Sequence, residues 1–468
     1  MGKEQSNTSS SVSIPLPKGK KRAVTIGCIC MMLSVAMFGL SLSVLQGPIL
    51  TEMDAMNYFS LLTIFASLGL AIMTPIGGKL GDLFGRRNIV VISGIIAAIC
   101  GIGMGLVKTI IPFMVLRLLL GAAQGAFTAA PYILIREINE PKDVPKGMGM
   151  LSSAIAIGGF VGSIIAGALT DLGYLNLAIM FPAVPLLIGI ALIGFNLPNK
   201  KREAKASIDV PGVIALAIVL TAFLLSMNFG GKIGWGNPYI IIGFVITAIA
   251  LFVLVKIENK ASEPIIPMHL FTNKQYTTLL LVGIIAYFYM NSMNVYAPLA
   301  VQQVLNGSAT ASGSLQLPRT ILTMLVPTIA GVWVGKKKEN LWKAMAIAMA
   351  LFAISFAPIS FTTPTTPVLV YFVAIAITGI GESFRAVSIT PAAQTTLAPA
   401  DLGVGTSLVT FMNSLAGLFS AAISGVIFDA NPNSVNVAVN SIFITTTVVA
   451  VIGLLIVLFL VRKHMKAE

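Results

Sequence analysis

Residues Gly77–Arg87 read G-G-K-L-G-D-L-F-G-R-R and form a short basic loop between two apolar stretches of membrane-crossing length. One acid, Asp82, stands among the basic residues, and Gly81 and Gly85 allow a tight turn. Charges held at helix ends by such a turn can tie neighbouring helices together, by ion pairing and by interaction with helix termini. The plainer reading is an ordinary positively charged loop after the second span. The order Gly, Asp, Gly, Arg, Arg favours the first.

Composition sets the class. The chain has 468 residues, of which 56% are hydrophobic and 10% charged, and its mean hydropathy is +0.92. Soluble domains carry about a quarter charged residues, so most of this surface must face lipid. No soluble domain of any size remains once the apolar stretches are removed. Stretches able to cross about 30 Å of hydrocarbon fall near 24–46, 58–80, 88–107, 111–131, 147–170, 175–197, 210–230, 238–256, 277–304, 312–335, 343–361, 367–391, 402–428 and 440–461. Glu382 and Arg385 interrupt the twelfth. Backbone in lipid must bond within its own segment, so fourteen transmembrane helices and an all-α integral membrane fold are expected.

Charge tests the count. With the N-terminus in the cytoplasm, 25 of the 30 basic residues fall in cytoplasmic segments. Only Lys108 and Lys232 fall outside, while Arg117, Arg319 and Arg385 lie within spans. Both termini are therefore expected in the cytoplasm, which requires an even number of spans. The net charge of +13 is a topology signal and gives no reason to expect nucleic acid.

Other chemistries find little support. Residues 1–17 are Ser-rich and polar, a disordered tail with no signal-peptide pattern. Cys28, Cys30 and Cys100 lie in the first and third spans, where packing is the default. His269 and His464 sit in cytoplasmic segments, so no histidine relay crosses the membrane. No Walker loop, H-E-x-x-H or nucleophile elbow is present. No enzyme activity, metal or cofactor is expected, and work on a solute must draw on ion gradients.

The charged segments 198–209 and 256–275 flank two spans that read as an insertion between two blocks of six. The expected organisation is a tail (1–20), a six-helix half (21–200), two linker helices (201–258) and a second six-helix half with its own tail (259–468). Each block carries a Gly- and Lys/Arg-marked loop after its second span. The second copy, Gly331–Lys338 (G-V-W-V-G-K-K-K), has lost the acid.

On these residues the chain resembles the major facilitator superfamily, in its branch of fourteen-span drug:proton antiporters. The resemblance covers essentially everything after residue 20. It implies the major facilitator fold, two six-helix halves with two extra central helices. The loop matches the family signature at Gly78, Leu80, Asp82, Gly85, Arg86 and Arg87, departing at Leu83. It implies that Asp82 anchors a cytoplasmic gate. Arg117 followed by Gly121 resembles the family's arginine motif, with Leu120 where glutamine is usual, and implies support of proton transfer. A snorkelling arginine is the alternative. Gly149, Gly158, Gly162 and Gly167 fall at the antiporter-motif spacing, though Ser163 replaces a proline and Ala166 a glycine. Small residues so spaced also let helices approach closely. The first span, through Gly39–Pro48, lacks the acid that family members often carry there.

Within the spans, Glu382 is the one acid lying deep, with Arg385 three residues on along the same face. Arg319 adds a charge beside Pro318. Glu382 could bind protons or a cationic substrate while Arg385 and Arg319 hold anionic groups. Alternatively, Glu382 and Arg385 form a pair that locks two helices. Gln46, Tyr287, Tyr289, Asn291, Asn294, Gln302, Gln394 and Asn413 are candidate cavity lining or ordinary interhelix bonding.

The expected function is proton-coupled efflux of drugs or amphipathic small molecules by alternating access. The expected partners are a small-molecule substrate, protons or another coupling ion, and the bilayer of the plasma membrane, for a monomer. Three arginines against one carboxylate lean the substrate towards neutral or anionic compounds. An uptake symporter or facilitator for a small organic anion is the alternative, and a non-transporting receptor or scaffold a remote third.

Overall fold

The computed structural model describes residues 16–140, 143–198, 209–261, 264, 266–398 and 401–463. Residues 1–15 of the expected tail, and His464, lie outside the described residues. Among the described residues fourteen helices are long and apolar enough to span a membrane. They are α1 (Lys18–Glu52), α2 (Phe59–Phe84), α3 (Arg86–Leu106), α4 (Ile110–Ile138), α5 (Lys146–Asp171), α6 (Leu175–Asn196), α7 (Val210–Ile233), α8 (Pro238–Glu258), α9 (Lys274–Gln303), α10 (Ala309–Gly335), α11 (Asn340–Ile359), α12 (Val368–Thr395), α13 (Leu402–Asp429) and α14 (Val435–Val461).

Several helices run past the apolar stretches expected for them. α1 begins at Lys18, directly after Pro17, and stops only before Asp54, whose φ is 50°. Hydropathy marks the hydrocarbon-facing stretch, but backbone bonding continues until a breaker stops it. α4 continues to Ile138 and α12 to Thr395. Each is interrupted shortly after its glycine-rich middle, at Ala129 in α4 and at Val387–Ser388 in α12. α9 winds through a π-helical turn at Ser292–Tyr296, a local underwinding often found at functional sites.

Packing repeats between α1–α6 and α9–α14. α1 packs against α5 and α6, α2 against α4, and α3 against α4 and α6. α9 likewise packs against α13 and α14, α10 against α12, and α11 against α12 and α14. Small residues make these approaches possible. A Cβ on Gly121 would meet the Ala66 carbonyl oxygen at 2.8 Å, and one on Gly379 the Arg319 carbonyl oxygen at 2.9 Å. The hairpin α7–α8 stands apart: α7 packs on α2 and α13, while α8 packs mainly on α7. α8 turns Ile241, Ile242, Val245, Ile249 and Phe252 outward, a surface suited to acyl chains.

The helices alternate in direction. The end carrying Lys18 and Val461 is called the near end here, and the opposite one the far end.

Candidate functional site

A charged cluster sits inside the second block of six helices. Glu382 on α12 accepts two bonds from Arg385, from Nε to Oε2 and from Nη2 to Oε1, both at 2.7 Å. Tyr289 on α9 donates its hydroxyl to Glu382 Oε2 at 2.9 Å, and Arg319 Nη2 on α10 donates to that hydroxyl at 3.2 Å. One phenol thus bridges the acid to a second arginine. The Arg385 guanidinium lies 4.9 Å from the Tyr287 ring centroid, and Tyr289 stacks on Phe352 at 4.1 Å. Arg385 is 8% exposed and Tyr289 2%. Two arginines against one glutamate leave the cluster with an excess positive charge. The buried Nε of Arg319 has no hydrogen-bond acceptor. The π-turn of α9 begins three residues after Tyr289.

Arg117 lies on α4, seven residues after Ile110 and so about 10 Å along the helix. It makes no hydrogen bond or ion pair among the described residues. The cluster does not include it. On the same helix Gln124, 8% exposed, has a buried Nε2 without a partner. Gln124 follows Gly121 by three residues as Glu382 follows Gly379, so the two blocks place a polar group at matching positions.

In the loop motif the surroundings of Gly78 and the side chain of Asp82 lie outside what the structure describes. Gly85 separates α2 from α3 with φ of 88°. Arg86 pairs with Glu137 at the end of α4, and Arg87 Nε donates to the Gly194 carbonyl of α6 at 2.7 Å. These bonds join α3, α4 and α6 at the near end. A left-handed turn penalises any Cβ, so Gly85→Ala should cost about 1–2 kcal/mol, read as a lowered thermal midpoint in detergent. An unchanged midpoint would mean that the turn relaxes freely.

The four glycines of the α5 motif have different surroundings. Gly158 and Gly162 lie against Leu33 and Met37 of α1. Gly167 lies against Ala309 of α10, while nothing stands within 4 Å of a Cβ on Gly149. Ser163, at the position of the family proline, donates to the Gly313 carbonyl of α10 at 2.8 Å.

That last bond belongs to a set joining the two blocks at the far end. Asp171, at the end of α5, accepts from the backbone N–H groups of Ala309 and Thr310 at 2.9 Å each, capping α10 from another helix. Gln302 Nε2 donates to the Val44 carbonyl at 3.0 Å. Ser60 on α2 donates to Asp429 Oδ2 on α13 at 2.5 Å. Phe59 packs on Tyr296 and Phe428, with centroids 5.7 and 4.9 Å away. At the near ends of the seam between α5 and α10, neither Gly149 nor Gly335 has an atom within 4 Å of a Cβ position. α5 packs mostly on the first turns of α10, Ala309–Ser314, and only sparsely on the rest of it, so the seam is tight at the far end and loose towards the near end.

Sequence reading did not single out Asp171 or Asp429, because both terminate spans. A signal for them exists. G-A-L-T-D at 167–171 and G-V-I-F-D at 425–429 repeat Gly-x-x-x-Asp at the ends of the fifth and thirteenth spans. In each copy the glycine meets the opposite block, Gly167 at Ala309 and Gly425 at Ser60. Of the polar candidates, Gln46 donates to the Phe59 carbonyl and Gln394 to Thr406. Asn294 accepts from Gln316 at 3.3 Å, and Asn291 and Asn413 each keep a buried atom without a partner.

Comparison with known proteins agrees with this architecture. The Major Facilitator Superfamily model matches residues 24–421 and 279–468. An uncharacterized MFS-type transporter of Mycobacterium tuberculosis is 29% identical over 365 residues, covering 77% of this chain and 52% of the relative. The chain thus spans about half the length of that relative. Multidrug transporter protein MdtP of Bacillus subtilis is 27% identical over 426 residues, covering 88% of this chain and 76% of the relative. A crystal structure of the peptide transporter POT in complex with sulfate superposes with a TM-score of 0.71 at 14% identity, covering 95% of this chain and 96% of that one. That likeness bears on the fold alone. With a family model covering most of its length and the repeated helix packing that such a fold requires, this chain belongs to the Major Facilitator Superfamily.

Proposed function

We propose that the chain is a secondary active transporter that exports drugs or other amphipathic small molecules across the plasma membrane, by alternating access and at the expense of a proton gradient. In this reading residues 21–200 and 259–468 are the two rocking halves, 201–258 is an inserted pair of helices, and the protein works as a monomer. The near end is cytoplasmic, as the distribution of basic residues suggests. The observation that carries the reading is the one-sided seam: α5 meets the first turns of α10, Ala309–Ser314, closely at Gly167 and Gly313, but meets the rest of α10 only sparsely. A molecule closed at one end and parted at the other is half of an alternating-access cycle. The naming of MdtP as a multidrug transporter supports the substrate class.

Glu382, Arg385, Arg319 and Arg117 are the groups we assign to proton and substrate handling. Charged groups at this depth are costly and mark pathways more often than scaffolding. Proton uptake at Glu382 would require its bonds to Arg385 and Tyr289 to loosen during the cycle. A second reading, carriage of a small organic anion, draws support from the excess of arginines and from the unpartnered Arg319 Nε.

Proteoliposomes with an imposed pH gradient test the proposal, with a fluorescent amphipathic cation and an amphipathic anion as probes. The expected result is gradient-driven accumulation, reduced about tenfold or more in Glu382→Gln. Accumulation indifferent to the gradient would remove proton coupling, and accumulation of the anion alone would select the second reading.

A further inference from the structure

The two far-end seams are built on the same repeat but completed differently. Backbone N–H groups of α10 satisfy Asp171 directly. Asp429 instead takes its donors from side chains, and a third element supplies part of them. Its Oδ2 accepts from Ser60 of α2 at 2.5 Å and lies 3.3 Å from the Lys232 ammonium of α7. Asn228, a turn earlier on α7, donates to the Ser60 hydroxyl at 2.8 Å and approaches Asp429 Oδ2 at 3.4 Å. Lys232 also donates to the Asn57 carbonyl just before α2, at 2.6 Å. Ser60 and Asn228 are fully buried, and the Asp429 side chain is 5% exposed.

We propose that Asp429, Ser60, Asn228 and Lys232 form a proton-responsive clasp, in which the inserted helix α7 holds the far ends of α2 and α13 together. The inference rests on the alternating-access reading above. A carboxylate is the hub: it accepts from α2 and neutralises the charge that α7 brings. Charge-assisted bonds in a site this dry are stronger than neutral ones. Once Asp429 binds a proton, Lys232 loses its counter-charge and the tie between α2, α7 and α13 weakens. The groups facing Asp429 are Lys232 from α7, Asn228 beside it, Ser60 from α2, and Tyr296 from α9, whose buried hydroxyl has no hydrogen-bond partner. Asp429 is the one carboxylate among these facing groups. The clasp is complete while Asp429 is ionised and is lost as pH falls. Glu382 cannot take this part, because its bonds stay within one block.

Pulsed electron–electron distances between spin labels test the clasp. The labels replace Glu52 and Asn433 at the far end, or Lys146 and Lys336 at the near end, in full-length protein lacking its native cysteines. At about pH 8 the wild type should give a short far-end distance, and at about pH 5 its open fraction should rise roughly tenfold. Asp429→Asn should be open at both pH values, and Ser60→Ala should shift in the same direction by less. Gly149→Val, which has open space around it, should keep the wild-type far-end response. A wild type that opens with pH while Asp429→Asn responds identically overturns the clasp and leaves alternating access intact. Distances that never change at either end, under any pH or probe, overturn both.

Discussion

Arg385→Ala should unfold more readily than the wild type by about 3–5 kcal/mol and should abolish accumulation in proteoliposomes. Arg385 makes both of the 2.7 Å bonds that neutralise Glu382 and lies over the Tyr287 ring. Truncating it removes that charge and leaves the half-buried Glu382 with the single Tyr289 hydroxyl bond. The cost is the price of a stranded charge, so it should shrink when the charge itself is removed. Glu382→Gln combined with Arg385→Met should recover most of the lost stability while remaining inactive. Thermal unfolding in detergent measures the first quantity and vesicle accumulation the second. If Arg385→Ala melts with the wild type, the pair contributes little to the folded state. If the double variant transports normally, neither residue handles solute or protons.

Gly167→Val should drive accumulation down by about one to two orders of magnitude with little loss of folded protein. A side chain at Gly167 would run into the Ala309 carbonyl oxygen, and one at Gly313 into the Ser163 carbonyl oxygen. These are backbone atoms that cannot swing aside. Overpacking of this kind costs about 1–3 kcal/mol. Charged against the far-closed state alone, it shifts the balance of states by about 5- to 150-fold. Gly149→Val belongs to the same motif but has open space around it, and it should transport like the wild type. Equal losses in both variants would show that the motif acts through general helix packing and not through closure of the seam.

Much of the fold could be read from the chain because lipid simplifies the problem. Apolar length dictates where helices cross, and the lysine and arginine pattern constrains their number. Helix ends were less legible: α1, α4 and α12 overrun their apolar stretches, since nothing at the lipid boundary compels a helix to stop. Within the site, the spacing of three between Glu382 and Arg385 was enough to bring those side chains together. Their partners Tyr289 and Arg319 come from other helices, where no local spacing speaks for them. Glu137, the partner of Arg86, was hidden for the same reason. Asp171 and Asp429 were hidden differently. Each reads as the polar edge of a span, and only the repeat of Gly-x-x-x-Asp, compared across blocks, would have marked them as a pair.

The hairpin α7–α8 leaves the molecule with unlike flanks. Between α2 and α13 the boundary is backed by α7, whereas among the described residues no further helix packs across the one between α5 and α10, which leaves it facing the bilayer. Changes in bilayer thickness or tail order therefore press on one hinge line far more than on its counterpart, so the membrane itself is an unequal lever on the two sides.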